Sequence, residues 1–164
     1  MRKKLVVIMM LMMSSVIALP QEWSAKVIKV IDGNTLEILT SENETYKVLL
    51  KEIDCPEIEQ QFGPEAKKLT EKILLKKKVT VVVNGKDRWG TRLVSITLSN
   101  GKDINQELLK KGYAWHNAKL SSNSTLKSLE TNAKENKIGL WENEDPTPPW
   151  IFRRQQTMKV AKSR

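Results

Sequence analysis

The side chains able to do chemistry in this sequence are few, and most are carboxylates. There is one cysteine, Cys55, and one histidine, His116. A single thiol excludes an internal disulfide, and one Cys with one His excludes a Cys/His zinc cluster. A Ser-His-Asp or Cys-His relay would have to run through His116 alone, which makes hydrolysis of that kind a poor reading. There remain Asp32, in Asp32-Gly33-Asn34, and the pair Asp54 and Glu57, which flank Cys55-Pro56. On its own the first segment is an ordinary hairpin-turn signal, and the second would serve as a surface turn around a proline. Cys55 reads as a small packed residue, because no His or other context that lowers a thiol pKa is evident beside it. His116, following Trp115 near a helix end, reads as structural.

The elements that must position these residues are short. Ala25–Ile31, Thr35–Thr40 and Thr45–Lys51 have the β-type apolar patterning of strands, with Asp32-Gly33-Asn34 turning between the first two and 41–44 turning the chain again. Gly63-Pro64 opens a helix through about Lys77, with Ala66, Leu69, Ile73 and Leu74 spaced for burial on one face. Val79–Val83 is predicted as the fourth strand, Asn84-Gly85 as a turn and Arg92–Leu98 as the fifth strand. Helices are predicted over Ile104–Lys111, stopped by Gly112, and Thr125–Asn136, capped by Ser124 and followed by Gly139. Pro146, Pro148 and Pro149 form an extended strap ending in Trp150, and the tail beyond Phe152 is expected to fray. Five strands with a helix between the third and fourth match an α+β fold, a five-stranded Greek-key barrel of the oligonucleotide/oligosaccharide-binding (OB) type with about three helices.

The chain of 164 residues is one domain long, and its 40% hydrophobic content supplies a core. Its formal charge is +9, from 28 Lys and Arg against 19 Asp and Glu. Arg2, Lys3 and Lys4 lie at one end; Arg153, Arg154, Lys159, Lys162 and Arg164 lie at the other. Without these eight, 20 basic residues face 19 acidic ones. An anionic partner therefore has to be met by a local patch or by the tail, not by the net field of the folded part. Residues 1–18 read as a signal peptide, with a basic start, an apolar run from Leu5 to Met13 and small residues ending at Ala18. The apolar run falls short of the roughly 20 residues of a spanning helix. Export by cleavage is expected, to the periplasm or the medium, with an uncleaved anchor as the alternative.

Several ordered segments resemble the staphylococcal nuclease (thermonuclease) family. They are Val30-Ile31-Asp32-Gly33-Asn34-Thr35, Leu49-Leu50-Lys51-Glu52-Ile53-Asp54-Cys55-Pro56-Glu57 and Phe62-Gly63-Pro64-Glu65-Ala66. Asp87-Arg88-Trp89-Gly90, Lys111-Gly112-Tyr113-Ala114-Trp115 and Gly139-Leu140-Trp141 follow. Pro148-Pro149-Trp150 with Arg153 resembles the tail of exported bacterial members. The likeness covers residues 23–153, leaving 154–164 as a basic tail. It implies the OB-type barrel and, in active members, calcium-dependent hydrolysis of phosphodiesters in DNA and RNA. Such a reaction adds negative charge to a phosphoryl group that already carries it. The site must therefore supply a cation held by carboxylates, fixed donors on the phosphate and a group that orients water.

Carried over position by position, the resemblance places a metal aspartate at Asp54 and the general base at Glu57. It places the second metal aspartate at Asn34 and a metal-ligating backbone carbonyl at Cys55. The family's two phosphate-binding arginines fall at Leu49 and Thr91. Asn34 removes a formal charge from a calcium site whose affinity follows ligand charge, Leu49 cannot donate, and Thr91 offers one neutral hydroxyl for a charged fork. Arg92 is a possible substitute if a bulge returns it to the open face, and Lys47 and Lys51 flank the gap at Leu49. Lys47, Lys51 and Arg88 are the expected contacts to nucleic acid. Asp87, Trp89, Trp115 and Trp141 are expected to build core and loops, and the lysines of the helix after Pro64 its solvated side. The implied function is a thermonuclease-family domain with impaired catalysis and weakened calcium binding that still takes DNA, RNA or another anionic ligand. The alternatives are a working calcium-dependent endonuclease and an envelope interaction module, its protein partner unidentified.

Overall fold

A computed structural model describes residues 21–119 and 121–162, so the proposed signal peptide lies outside the described residues. Five strands close a barrel in the order β1-β2-β3-β6-β5. They are β1 (Gln21–Val30), β2 (Thr35–Thr40), β3 (Thr45–Leu50), β5 (Lys78–Lys86) and β6 (Arg92–Leu98). All neighbours are antiparallel except β3 and β6, which run parallel with Leu49 opposite Leu93. Two-residue strands β4 (Ile53–Asp54) and β7 (Trp115–His116) pair separately, setting Asp54 opposite Trp115. The helices are α1 (Gly63–Leu74), α2 (Ile104–Lys110), α3 (Ser124–Glu135) and α4 (Pro149–Lys162), with a 3-10 turn at Gly139–Glu142. The α+β barrel is thus as expected, with four helices among the described residues where about three were predicted. No helix among the described residues is long and apolar enough to cross a membrane.

The alternation read in the strands is the alternation that packs. Val27, Leu36, Ile38, Val48, Val81 and Val94 fill the barrel, and Leu74, Ile104, Leu108, Leu109 and Leu126 carry the same core out to the helices. Thr70, fully buried on α1, donates its hydroxyl to the carbonyl oxygen of Gly33 at 2.7 Å and so ties the helix to the β1–β2 loop. Thr70→Val keeps the shape and strands that carbonyl, and is expected to lower stability by about 1–3 kcal/mol in urea unfolding.

Three local expectations are corrected. Asn84-Gly85 is not a turn: β5 continues through it to Lys86, and the pairing with β6 shifts between Val83 and Gly85 as a bulge. The reversal comes at 87–90, where the Asp87 carboxylate accepts from the backbone N–H groups of Trp89 at 2.9 Å and Thr91 at 2.8 Å. The cap of α3 is Asn123, one residue before Ser124; its side chain accepts from the N–H groups of Thr125 and Leu126. The tail does not fray after Phe152. Pro149 is buried, Pro148 accepts the N–H groups of Ile151 and Phe152, and α4 runs on to Lys162 with no acidic residue in it.

Candidate functional site

The site is assembled by the β1–β2 loop, β4, the turn after it and the first turn of α4. Asp32 is half-buried, and its Oδ1 accepts from the N–H groups of Asn34 at 2.9 Å and Thr35 at 2.7 Å, which shapes the loop. Asn34 is buried, and its Oδ1 accepts from the N–H of Cys55 at 3.1 Å while its backbone carbonyl accepts from Leu50 at 2.8 Å. The amide that stands at the second metal-aspartate position therefore stitches the loop to β3 and β4.

Asp54 and Glu57 converge on one group, the guanidinium of Arg153 at the start of α4. Nη2 donates to Asp54 Oδ2 at 2.7 Å and Nη1 to Asp54 Oδ1 at 3.2 Å, while Nη1 also reaches Glu57 Oε1 at 2.7 Å. These are charge-assisted bonds of the fork-to-carboxylate kind. Asp54 is the most shielded of the three, with 14% of its side chain exposed against 29% for Glu57 and 48% for Arg153. Burial pushes the Asp54 carboxyl above its ordinary value, and its bonds to Arg153 pull the other way without cancelling that. The Asp54 partnership raises Arg153 further above its already high value, so this cation does not switch off.

The position of Arg153 is fixed by its surroundings. Gln60 Nε2 donates to the carbonyl of Thr147 at 2.8 Å, and Asn143 Nδ2 to Gln61 Oε1 at 2.7 Å, holding the proline strap to the turn that carries Glu57. Trp150 meets Trp115 edge-on at 6.3 Å, and Trp115 lies opposite Asp54 in the β4–β7 pair.

The other expected residues fall apart from this cluster. Leu49 is half-buried on the outer side of β3, paired with Thr35 and Leu93, and the exposed Lys47 shares that side. Lys51 gives its backbone carbonyl to Asn105 Nδ2 at 2.7 Å. Thr91 sits at the foot of the Asp87 loop, its N–H held by that carboxylate. Arg92 is engaged elsewhere: it keeps the inward parity of Val94 and Ile96, and its guanidinium lies 4.0 Å from the Tyr46 ring centroid and 5.4 Å from that of Trp23. The bulge in the β5–β6 pair lies in β5 and does not redirect Arg92. Cys55 is buried and its thiol is pushed well up by burial and by the nearby carboxylates, as a packed residue should be. His116 is buried too, its Nε2 without a hydrogen-bond partner among the described residues. Trp115 is in the core and Trp89 in a loop, within the expectation of core and loops; Trp89 is 73% exposed, with the Arg88 guanidinium 4.0 Å from its ring centroid.

Calcium, the ion that the sequence resemblance implies, does not fit the donors as they stand. Both Asp54 oxygens and the Glu57 Oε1 accept from Arg153, and the Asn34 Oδ1 accepts from the Cys55 N–H. Among the described residues no group of three or more His, Cys, Asp or Glu is gathered to hold a metal ion. Arg153 is the residue that sequence reasoning missed. The signal was present in Pro148-Pro149-Trp150 with Arg153, but nothing in the spacing pairs it with residues 96 and 99 positions earlier.

Residues 47–143 match the family model described as staphylococcal nuclease homologue. A Haemophilus influenzae protein named an uncharacterized endonuclease is 36% identical over 138 residues, 84% of this chain and 77% of that one. An Escherichia coli protein of the same description is 32% identical over 131 residues, 80% of this chain and 85% of the relative. Staphylococcal-like nuclease CAN1 of Arabidopsis thaliana is 31% identical over 133 residues, which are 78% of this chain and 41% of the plant protein.

Proposed function

Since the chain belongs to the staphylococcal nuclease family, we propose that it is a nucleic-acid-binding member in which phosphodiester cleavage is strongly impaired. The observation that carries this reading is the guanidinium bridge across Asp54 and Glu57. Glu57 Oε1 accepts from Arg153, which leaves only Oε2 to orient water, and both Asp54 oxygens accept from the same guanidinium instead of being offered to a metal ion. The positions that would grip the phosphate hold Leu49 and Thr91, and the loss of one preorganised donor typically costs about 10²–10³ in rate. Binding has better support. The β5–β6 loop presents Lys86, Arg88 and the exposed Trp89 together, a cationic stem with an aromatic face of the kind on which unpaired bases stack.

Trp89→Ala is expected to weaken single-stranded DNA binding by roughly 5- to 100-fold while leaving the unfolding midpoint in place, since stacking is worth about 1–3 kcal/mol per base. Fluorescence anisotropy at two salt concentrations checks this, and wild-type binding should weaken steeply with salt. A plasmid-cleavage assay with and without calcium tests the impairment; rapid calcium-stimulated nicking by the purified chain would overturn it. The names of the bacterial relatives favour that second reading, an active endonuclease. We place the protein outside the cytoplasm on the strength of residues 1–18, which N-terminal sequencing of the mature protein tests.

A further inference from the structure

Arg92 is a cation of the barrel that has no acid. It keeps the inward parity of Val94 and Ile96, a position at which a charged side chain is normally met by a carboxylate. Here it is half-buried on the rings of Tyr46 and Trp23. Among the described residues its guanidinium N–H groups donate to no acceptor and stand in no ion pair. We propose that the barrel mouth formed by Trp23, Tyr46, Lys86 and Arg92 is a binding site for a phosphate group, separate from the Asp54–Glu57 cluster.

Three observations carry it. The first is that the guanidinium is fixed by rings and not by acids. Trp23 and Tyr46 stack at 4.9 Å with 18° between their planes, and Arg92 lies 4.0 Å from the Tyr46 centroid and 5.4 Å from that of Trp23. A guanidinium seated on rings keeps its edge donors free, and these form the fork that takes two oxygens of one phosphate. The acid attached to the cluster, Glu44, accepts from the Tyr46 hydroxyl and forms no ion pair with Arg92.

The second is that the bulge in β5 brings another cation alongside. Val81 and Val83 pack toward the barrel interior, so unbroken alternation would send Lys86 to the other side. The register shift between Val83 and Gly85 instead sets Lys86 directly opposite Arg92, on the same side of the sheet. The third is that neither charge is neutralised, for Lys86 too is in no ion pair among the described residues. Like charges directly opposite in a ladder repel. Lys26 and Lys78 also face each other, across β1 and β5, but both are exposed and water screens them. Arg92 is half-buried, so the repulsion at the mouth is relieved by an anion of about two charges, as a phosphate group carries. Such a group has two sources, the free ion and the end of a nucleic-acid strand. Arg92 is three residues from Trp89 in one hairpin, at most about 11 Å of chain.

The test titrates sodium phosphate into the full chain, with affinity read by calorimetry and place read by the Arg92 Nε–H NMR resonance. Saturable displacement of that resonance is expected, with a dissociation constant on the order of 1 mM. Sodium acetate at matched ionic strength should act at least about tenfold more weakly, having one charge for two cations. Arg92→Gln is expected to weaken phosphate binding at least about tenfold, with Arg92→Lys between it and the wild type. Lys86→Gln should cost about threefold or more, and it carries the test alone if Arg92→Gln does not fold. Lys78→Gln removes the same charge from the exposed pair and should stay within about twofold of the wild type. No displacement by phosphate at tens of millimolar, equal displacement by acetate, or equal losses in Lys78→Gln and Lys86→Gln would each overturn the proposal. An oligothymidylate with a terminal phosphate that displaces the resonance more than its unphosphorylated twin supports the site and names a strand end as the source. Displacement by inorganic phosphate alone supports it and names the free ion. Phosphate binding by a chain that takes no DNA refutes the nucleic-acid reading and leaves this site standing, whereas DNA binding without any displacement at Arg92 does the reverse.

Discussion

The variant N34D/L49R/T91R is expected to cleave plasmid DNA on the order of 10³-fold faster than the parent chain when calcium is saturating. The fold is already prepared for each change. Leu49 is half-buried on the outer side of β3, a place where the aliphatic stem of an arginine can lie along the sheet with its head in water. The backbone at Thr91 is held by Asp87 through its N–H, so the loop does not depend on what side chain position 91 carries. Asn34 already points its Oδ1 at the Cys55 N–H; in N34D that donor remains, and the new charge gains one hydrogen bond against its burial. Two preorganised donors at about 10²–10³ each overstate the gain, because groups that act as a unit are not additive. Initial rates across a calcium series check this. A triple variant no faster than the parent would mean that the barrel lacks something other than these charges.

How much of this was legible in the sequence depends on the range over which each feature is decided. The barrel strands could be read because alternation is a local property: Leu36 with Ile38 and Val48 with Leu50 declare a buried face within a few residues. The helix after Gly63-Pro64 could be read for the same reason. Asn84-Gly85 misled because a turn signal and a bulge signal use the same residue types, and only the pairing across to Leu93 tells them apart. The tail misled in the opposite direction. Three prolines and a run of bases with no apolar period give no local reason for a packed helix, and α4 exists where it matters because Pro149 is buried and Trp150 finds Trp115. The candidate site divides along the same line. Asp54, Glu57 and the replacements at 34, 49 and 91 could be read by position, whereas Arg92 on the aromatic pair and Arg153 on the carboxylates are settled by tertiary contacts.

Gly33 shows the same division within a single residue, and Gly33→Ala is expected to cost about 3 kcal/mol, lowering the thermal midpoint by about 10 °C. As part of Asp32-Gly33-Asn34 it suggests a turn glycine chosen for backbone freedom. The structure gives it a different task. No left-handed φ is required here; the need is for space, because a β-carbon at position 33 would lie 2.6 Å from Cys55 Cβ and 2.9 Å from Ala66 Cβ. Both neighbours are β-carbons and cannot rotate away, so relief has to come from moving backbone, either β4 off the loop or α1 off the barrel. The first movement stretches the bond from Cys55 N–H to Asn34; the second stretches that from the Thr70 hydroxyl to the Gly33 carbonyl. The site therefore loosens together with the core: Asp54 lies next to Cys55, and its bonds to Arg153 should weaken in the same variant. Thermal unfolding of Gly33→Ala beside Gly33→Ala/Ala66→Gly separates the two directions. Substantial recovery in the double variant locates the strain against α1, whereas no recovery locates it against β4, and a single variant as stable as the parent would show that the loop has room that these distances deny.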